Sequence, residues 1–141
     1  MTKPLRLVIN IDGASRGNPG PAAAGVVVSA DGVVIHEAGL FLGQATNNVA
    51  EYRALLAGLE KAVQLGAADV EIRSDSELLV RQMNGQYRVR NKGLLPLFEQ
   101  AYTLTGKFKR CLIKHVPREQ NKQADHMANQ ALNLKRNVEE A

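Results

Sequence analysis

Cysteine is almost missing from this chain: among 141 residues there is one, Cys111. An internal disulfide framework is therefore excluded, and the composition fits a reducing compartment. Cys111 stands in the apolar run CLIKHV and reads as a small buried hydrophobe rather than a nucleophile. Tryptophan is absent altogether. No apolar run approaches the ~20 residues that a membrane span requires, so a soluble protein with no membrane partner is expected. The opening MTKPLRLVIN has neither an apolar signal core nor a small-residue cleavage site. Export is not expected, and a cytoplasmic location is. No Cys-His spacing points to zinc. No internal repeat or low-complexity segment occurs, and only the tail NVEEA reads as frayed. The length predicts a single domain over residues 1–141, expected to be a monomer and able to bury roughly two-thirds of its unfolded surface.

Charge is present but uneven. Residues 1–80 hold 6 Lys/Arg against 9 Asp/Glu, net −3, while residues 81–141 hold 12 against 5, net +7, giving +4 in all. Basic side chains gathered in one part of a small domain suggest a polyanionic partner, although a solvated face has the same composition.

The most informative stretch is Ile9 to Gly25, INIDGASRGNPGPAAAG. An apolar run, Leu5 to Ile11, delivers Asp12 into a segment rich in Gly, Ser, Asn and Pro, which reads as strand, turn and second strand. Small residues around an acid let a phosphate-bearing ligand approach the backbone closely. Asp12-Gly13 by itself is also a simple turn pair. Ala22 to Ala30 forms the second strand, Asp31-Gly32 a two-residue hairpin turn, and Val33 to Phe41 the third strand. His36, within that strand, reads as a surface or cross-strand residue.

Thr46-Asn47-Asn48 opens a helix whose apolar positions Val49, Leu55, Leu56, Leu59 and Val63 keep helical spacing as far as Gly66. Asn48 to Glu51 also matches a capping box, a purely structural use of Glu51. Val70 to Arg73 is a short fourth strand. Asp75 follows inside SDSE, where it is either a helix cap or a site residue. The helix ELLVRQM ends at Asn84-Gly85, and QYRVRNK is a basic connector. A third helix lies within Gly93 to Phe108, with Leu94, Leu97, Phe98, Ala101 and Leu104 on one face. Cys111 to Val116 is a fifth strand, stopped by Pro117. The last helix, from about Gln120 to Leu134, packs through Ala124, Met127, Ala128, Ala131 and Leu132. Asp125 borders that stripe, either half-exposed or aimed into a site.

The order β-β-β-α-β-α-α-β-α predicts an α/β fold, a five-stranded mixed sheet with helices on both faces. The first strand then lies beside the fourth, with Asp12 and Asp75 near strand ends. Glu51 enters from the first helix and Asp125 from the last. Four carboxylates gathered without a nearby cation repel one another, which makes sense if divalent cations fill the space. Hard oxygen donors suit Mg2+ or Mn2+. Two such ions about 3.5–4 Å apart can clamp an in-line phosphoryl displacement, which is nuclease chemistry.

In order and spacing, IDGASRGNPGPAAAG, TNNVAEYRAL, RSDSELLV and HVPREQNKQADHMAN resemble the four acidic motifs of type 1 ribonuclease H. The resemblance covers about residues 5–134 and implies a ribonuclease H-like fold. It implies that Asp12, Glu51, Asp75 and Asp125 are catalytic, bind two Mg2+ ions (with Mn2+ as a substitute), and cut the RNA strand of an RNA–DNA hybrid. The products would carry 5′-phosphate and 3′-hydroxyl ends. It also implies that Asn18, Asn47 and Asn48 touch the hybrid in its minor groove, where short amides suit 2′-hydroxyls. Ser76 is a candidate contact to the DNA strand.

Two departures stand out. The Trp- and Lys-rich basic protrusion of many family members is missing, so the grip on substrate is either weaker or rests on Arg88, Arg90 and Lys92. The family's mobile histidine loop is replaced by a short, glycine-free Pro117–Lys122 segment, so an auxiliary role falls to His115 or to Arg118. His126 points away from Asp125 around the helix and reads as a surface residue. A non-catalytic hybrid-binding module of the same fold is the alternative. DNA-strand transferases and resolvases share the acidic fold but usually need further DNA-binding domains.

Overall fold

The computed structural model describes residues 4–140. Its strands are β1 (Arg6–Ser15), β2 (Gly20–Ala30), β3 (Val33–Ala45), β4 (Asp69–Ser74), β5 (Arg110–His115) and β6 (Val138–Glu140). Its helices are α1 (Asn47–Gln64), α2 (Glu77–Met83), α3 (Leu95–Thr105) and α4 (Lys122–Leu134), with a short 3-10 turn at Arg118–Gln120. The sheet order is β5-β4-β1-β2-β3-β6. β1 runs antiparallel to β2 and parallel to β4, and β4 runs parallel to β5. The expected mixed sheet with helices on both faces is therefore present, but with six strands. The sixth is the tail that its polar composition made look frayed: Val138 to Glu140 pair with Gly39 to Glu37 at the β3 edge. His36 is buried there, its Nδ1 3.7 Å from Glu139 Oε1 across that pairing.

The alternation along β1 explains how both faces are used. Leu7, Ile9 and Ile11 are buried against Leu55 and Leu59 of α1, with Val26, Val28 and Ile72 beside them. α2 adds Leu79, Val80 and Met83 to the same core, and α3 adds Ala101. On the opposite face α4 lays Ala128, Ala131 and Leu132 against Ala23, and Ala124 and Met127 against Val27. That helix comes so close that a Cβ on Gly25 would stand 2.0 Å from the Ala124 carbonyl oxygen, and one on Gly39 2.2 Å from that of Met127. Glycine at both positions is thus a packing requirement. Cys111 packs against the main core but is half-buried rather than fully buried as expected, and that burial pushes its thiol up to about 11.

Candidate active site

The acids come from four different elements. Asp12 projects from β1, one residue beyond Ile11, which pairs with Ser74. The β4 strand ends at Ser74, so Asp75 emerges just past it; Asp12, expected at a strand end, instead lies within β1, which continues to Ser15 because it stays paired with β2. The capping alternative for Asp75 fails, because the α2 cap is Ser76, whose Oγ accepts from the Leu79 N–H at 3.3 Å. The capping box at Asn48 to Glu51 fails as well. α1 starts earlier, and Thr46 is its cap, accepting from the Val49 N–H at 3.2 Å. Glu51 is left free of capping and instead accepts a short hydrogen bond from the Gly13 N–H. A Cβ on Gly13 would stand 2.2 Å from the Glu51 backbone nitrogen, so glycine is what lets α1 bring its acid against β1.

Asp12, Glu51 and Asp75 each offer a carboxylate oxygen within 4.8 Å of the others. Asp12 is 6% exposed and Glu51 8%. Asp125 lies in the first turn of α4 at the exposed rim, outside the trio of converging carboxylates, and its Oδ1 accepts from Asn129 Nδ2 at 3.2 Å. Among the described residues no Lys or Arg forms an ion pair with any of the four. Burial, with the charges of Glu51 and Asp75 behind it, holds the Asp12 carboxyl far above the usual carboxylate range. Burial and the Asp75 charge push Glu51 up to about 8, against the pull of the Gly13 N–H and of Arg118. A buried, oxygen-only, negatively charged cluster that cannot ionise comfortably by itself fits a hard divalent cation.

The residues expected to meet the substrate come from the β1–β2 turn, the starts of α1 and α2, the end of β5 and the 3-10 turn. Ser15 N–H donates to Asn47 Oδ1 at 2.9 Å, and Asn47 N–H donates to Asn18 Oδ1 at 3.1 Å. The two asparagines therefore fasten the β1–β2 turn to the start of α1 through their carbonyl oxygens. Among the described residues their side-chain nitrogens have no hydrogen-bond partner, and both residues are exposed, as is Asn48. Ser76 is half-buried and occupied as the α2 cap. Arg118, in the 3-10 turn, is near enough for its charge to act on Glu51. His115 closes β5 and is exposed, and His126 is exposed on α4. Two neighbours escaped sequence reasoning. The Gly13 amide holds Glu51, and Asn121, 1% exposed, lies between the elements that carry the acids. Asn121 stands in the polar run EQNKQ, which carries no signal of burial.

A mixed sheet whose inner strand β1 brings one acid to two others, with a fourth on the helix packed behind it, defines a ribonuclease H-like α/β domain. A family described as reverse transcriptase-like matches residues 10–131. Ribonuclease HI of Halobacterium salinarum is 48% identical over 122 residues, covering 86% of this chain and 61% of that protein. The crystal structure of RNase H1 from the same archaeon superposes with a TM-score of 0.88 at 46% identity, covering 91% of this chain and 98% of that one. The bifunctional protein Rv2228c of Mycobacterium tuberculosis is 48% identical over 91% of this chain, which spans 36% of that longer protein. LC11-RNase H1, solved in complex with an RNA/DNA hybrid, matches with a TM-score of 0.87 at 39% identity, over 92% of this chain and 98% of that one. The chain belongs to the reverse transcriptase-like family and, by its likeness in sequence and structure, to type 1 ribonuclease H.

Proposed function

We propose that this chain is an endonuclease that hydrolyses the RNA strand of RNA–DNA hybrids, leaving 5′-phosphate and 3′-hydroxyl ends, with residues 1–141 acting as one catalytic domain. The observation that carries the reading is the meeting of Asp12, Glu51 and Asp75 within 4.8 Å, where β4 ends beside the middle of β1. The hybrid-bound relative supports the choice of substrate.

Asp12, Glu51, Asp75 and Asp125 would hold two Mg2+ ions, or Mn2+ in their place. When bound, the ions would supply water activation and charge stabilisation of the leaving oxygen. The chain contributes the rest. Gly13 N–H keeps Glu51 turned towards β1. Burial and mutual repulsion raise the carboxyls of Asp12 and Glu51, so loading the site favours their ionised forms and draws protons away. Asn18 and Asn47, their oxygens already engaged, present amide N–H donors to 2′-hydroxyls in the shallow groove of the hybrid. Asn48 extends that donor row, and Ser76 contacts the DNA strand beside Asp75. Arg118 is the better-placed auxiliary for leaving-group or product steps because its charge already reaches Glu51. His115, exposed at the end of β5, is the second. The protein works as a cytoplasmic monomer, a setting that suits one protonated, half-buried thiol. No described helix is long and apolar enough to cross a membrane.

The test is a cleavage assay on RNA–DNA hybrid, duplex DNA and duplex RNA, each with Mg2+, Mn2+ or chelator. Cleavage of the hybrid RNA strand alone, abolished by chelator, is expected. Metal-independent cleavage overturns the mechanism. Tight hybrid binding without cleavage favours the binding module.

A further inference from the structure

Asn121 stands one residue before α4, where a side chain ordinarily turns back to cap the helix. This one makes no cap hydrogen bond and is buried instead. Its Oδ1 accepts from Asn10 Nδ2 at 3.0 Å, which decides which end of the amide is which. Its Nδ2 then donates to the Ile11 carbonyl at 2.8 Å and reaches Asp75 Oδ2 at 3.5 Å. Its backbone carbonyl accepts from the Asp125 N–H at 3.2 Å. One residue thus touches the strand carrying Asp12, the side chain of Asp75 and the turn carrying Asp125. Asn10, two residues before Asp12 on the same side of β1, holds it in that orientation.

We propose that Asn121, oriented by Asn10, is a positioning residue that sets the spacing of Asp12, Asp75 and Asp125; this rests on the reading of those acids as the metal-holding set. An amide is suited to the task because it donates to a carboxylate without adding charge. A Lys or Arg at this place would compete with the bound cation, and an Asp would add a further negative charge to a cluster already burdened with them. Partners that orient metal ligands characteristically change metal affinity or activity by roughly 10–100-fold when removed.

The test measures Mn2+ binding by titration calorimetry, and kcat and KM on the hybrid, for the full chain and its Asn121→Ala and Asn10→Ala variants. Folding is checked by circular dichroism in chelator. Asn121→Ala should weaken Mn2+ binding by about tenfold or more and lower kcat, with KM for the hybrid within about threefold of wild type. Asn10→Ala leaves the bonds to Ile11 and Asp75 in place but frees the amide to turn, so it should shift Mn2+ affinity in the same direction by less. Should Asn121→Ala fail to fold, Asn10→Ala decides. Mn2+ affinity within twofold of wild type in the folded variants overturns the proposal while leaving the metal reading intact. A wild-type chain that binds no Mn2+ overturns both.

Discussion

The exchange Asp12→Asn changes one buried charge and almost no volume, and its effect on stability should reverse sign with metal. In the metal-free protein, burial and the charges of Glu51 and Asp75 raise the Asp12 carboxyl from 3.8. A carboxyl raised by folding contributes stability below its unfolded value and loses it as pH rises towards its folded value. Each pH unit between 3.8 and the working pH therefore costs the folded protein up to about 1.4 kcal/mol. Between 3.8 and pH 7 the ceiling is roughly 4 kcal/mol, and relaxation of the cluster reduces it to about 1–3 kcal/mol. The asparagine carries no such cost. In chelator at pH 7 the variant should melt roughly 3–10 °C above wild type, with the gap closing below pH 4. Saturating Mg2+ or Mn2+ should raise the wild-type melting temperature and leave the variant nearly unmoved, since only wild type gains binding free energy on folding. Loss of several kcal/mol of transition-state stabilisation should cut hybrid cleavage by at least about a hundredfold. The assay is thermal melting by circular dichroism across pH 4–9, with and without metal, paired with single-turnover cleavage. A variant less stable than wild type in chelator at pH 7, yet cleaving near the wild-type rate, would refute the account of this residue.

Metal binding should release protons between pH 6 and 7.5, because Glu51, at about 8, and Asp12 must both ionise; calorimetry in buffers of different ionisation enthalpy reads the count, and none released would contradict the raised carboxyls. Replacing Arg88, Arg90 and Lys92 together by Ala should flatten the slope of log affinity against log salt by about 2–3, and an unchanged slope would mean that these exposed charges merely solvate the surface. Asn18→Asp and Asn47→Asp keep the oxygens that accept from Asn47 and Ser15 but remove the outward donors. On substrates with successive 2′-hydroxyls replaced by hydrogen, each should erase one position's penalty, worth about 1–3 kcal/mol, and profiles identical to wild type would reduce both residues to turn fasteners. Gly25→Ala should destabilise by about 3 kcal/mol or more, since its methyl would meet α4 backbone that cannot yield locally, and a denaturant midpoint near wild type would show that α4 moves freely.

Local pattern was enough to place most of this protein. The apolar runs of β1 and β2, the turn at Asp31-Gly32, the helical spacing of Leu55 and Leu59, and ELLVRQM bounded by Ser76 and Asn84 are all short-range signals, and the elements appear where those signals stand. The sequence also placed Asp75 just past a strand end, because β4 runs straight into the cap of α2, whereas β1 runs on past Asp12 to Ser15 through its pairing with β2. Tertiary structure decided what local chemistry left balanced. Thr46 and Asn48 are both competent caps, and the choice of Thr46 follows from how α1 docks on β1 through Gly13. Val138–Glu140 becomes a strand because β3 offers an unpaired edge, which composition cannot report. Asn121 looks like any loop polar residue until β1, β4 and α4 enclose it. The raised carboxyls of Asp12 and Glu51 likewise belong to no residue alone, since burial and like-charge repulsion exist only once three distant segments have met.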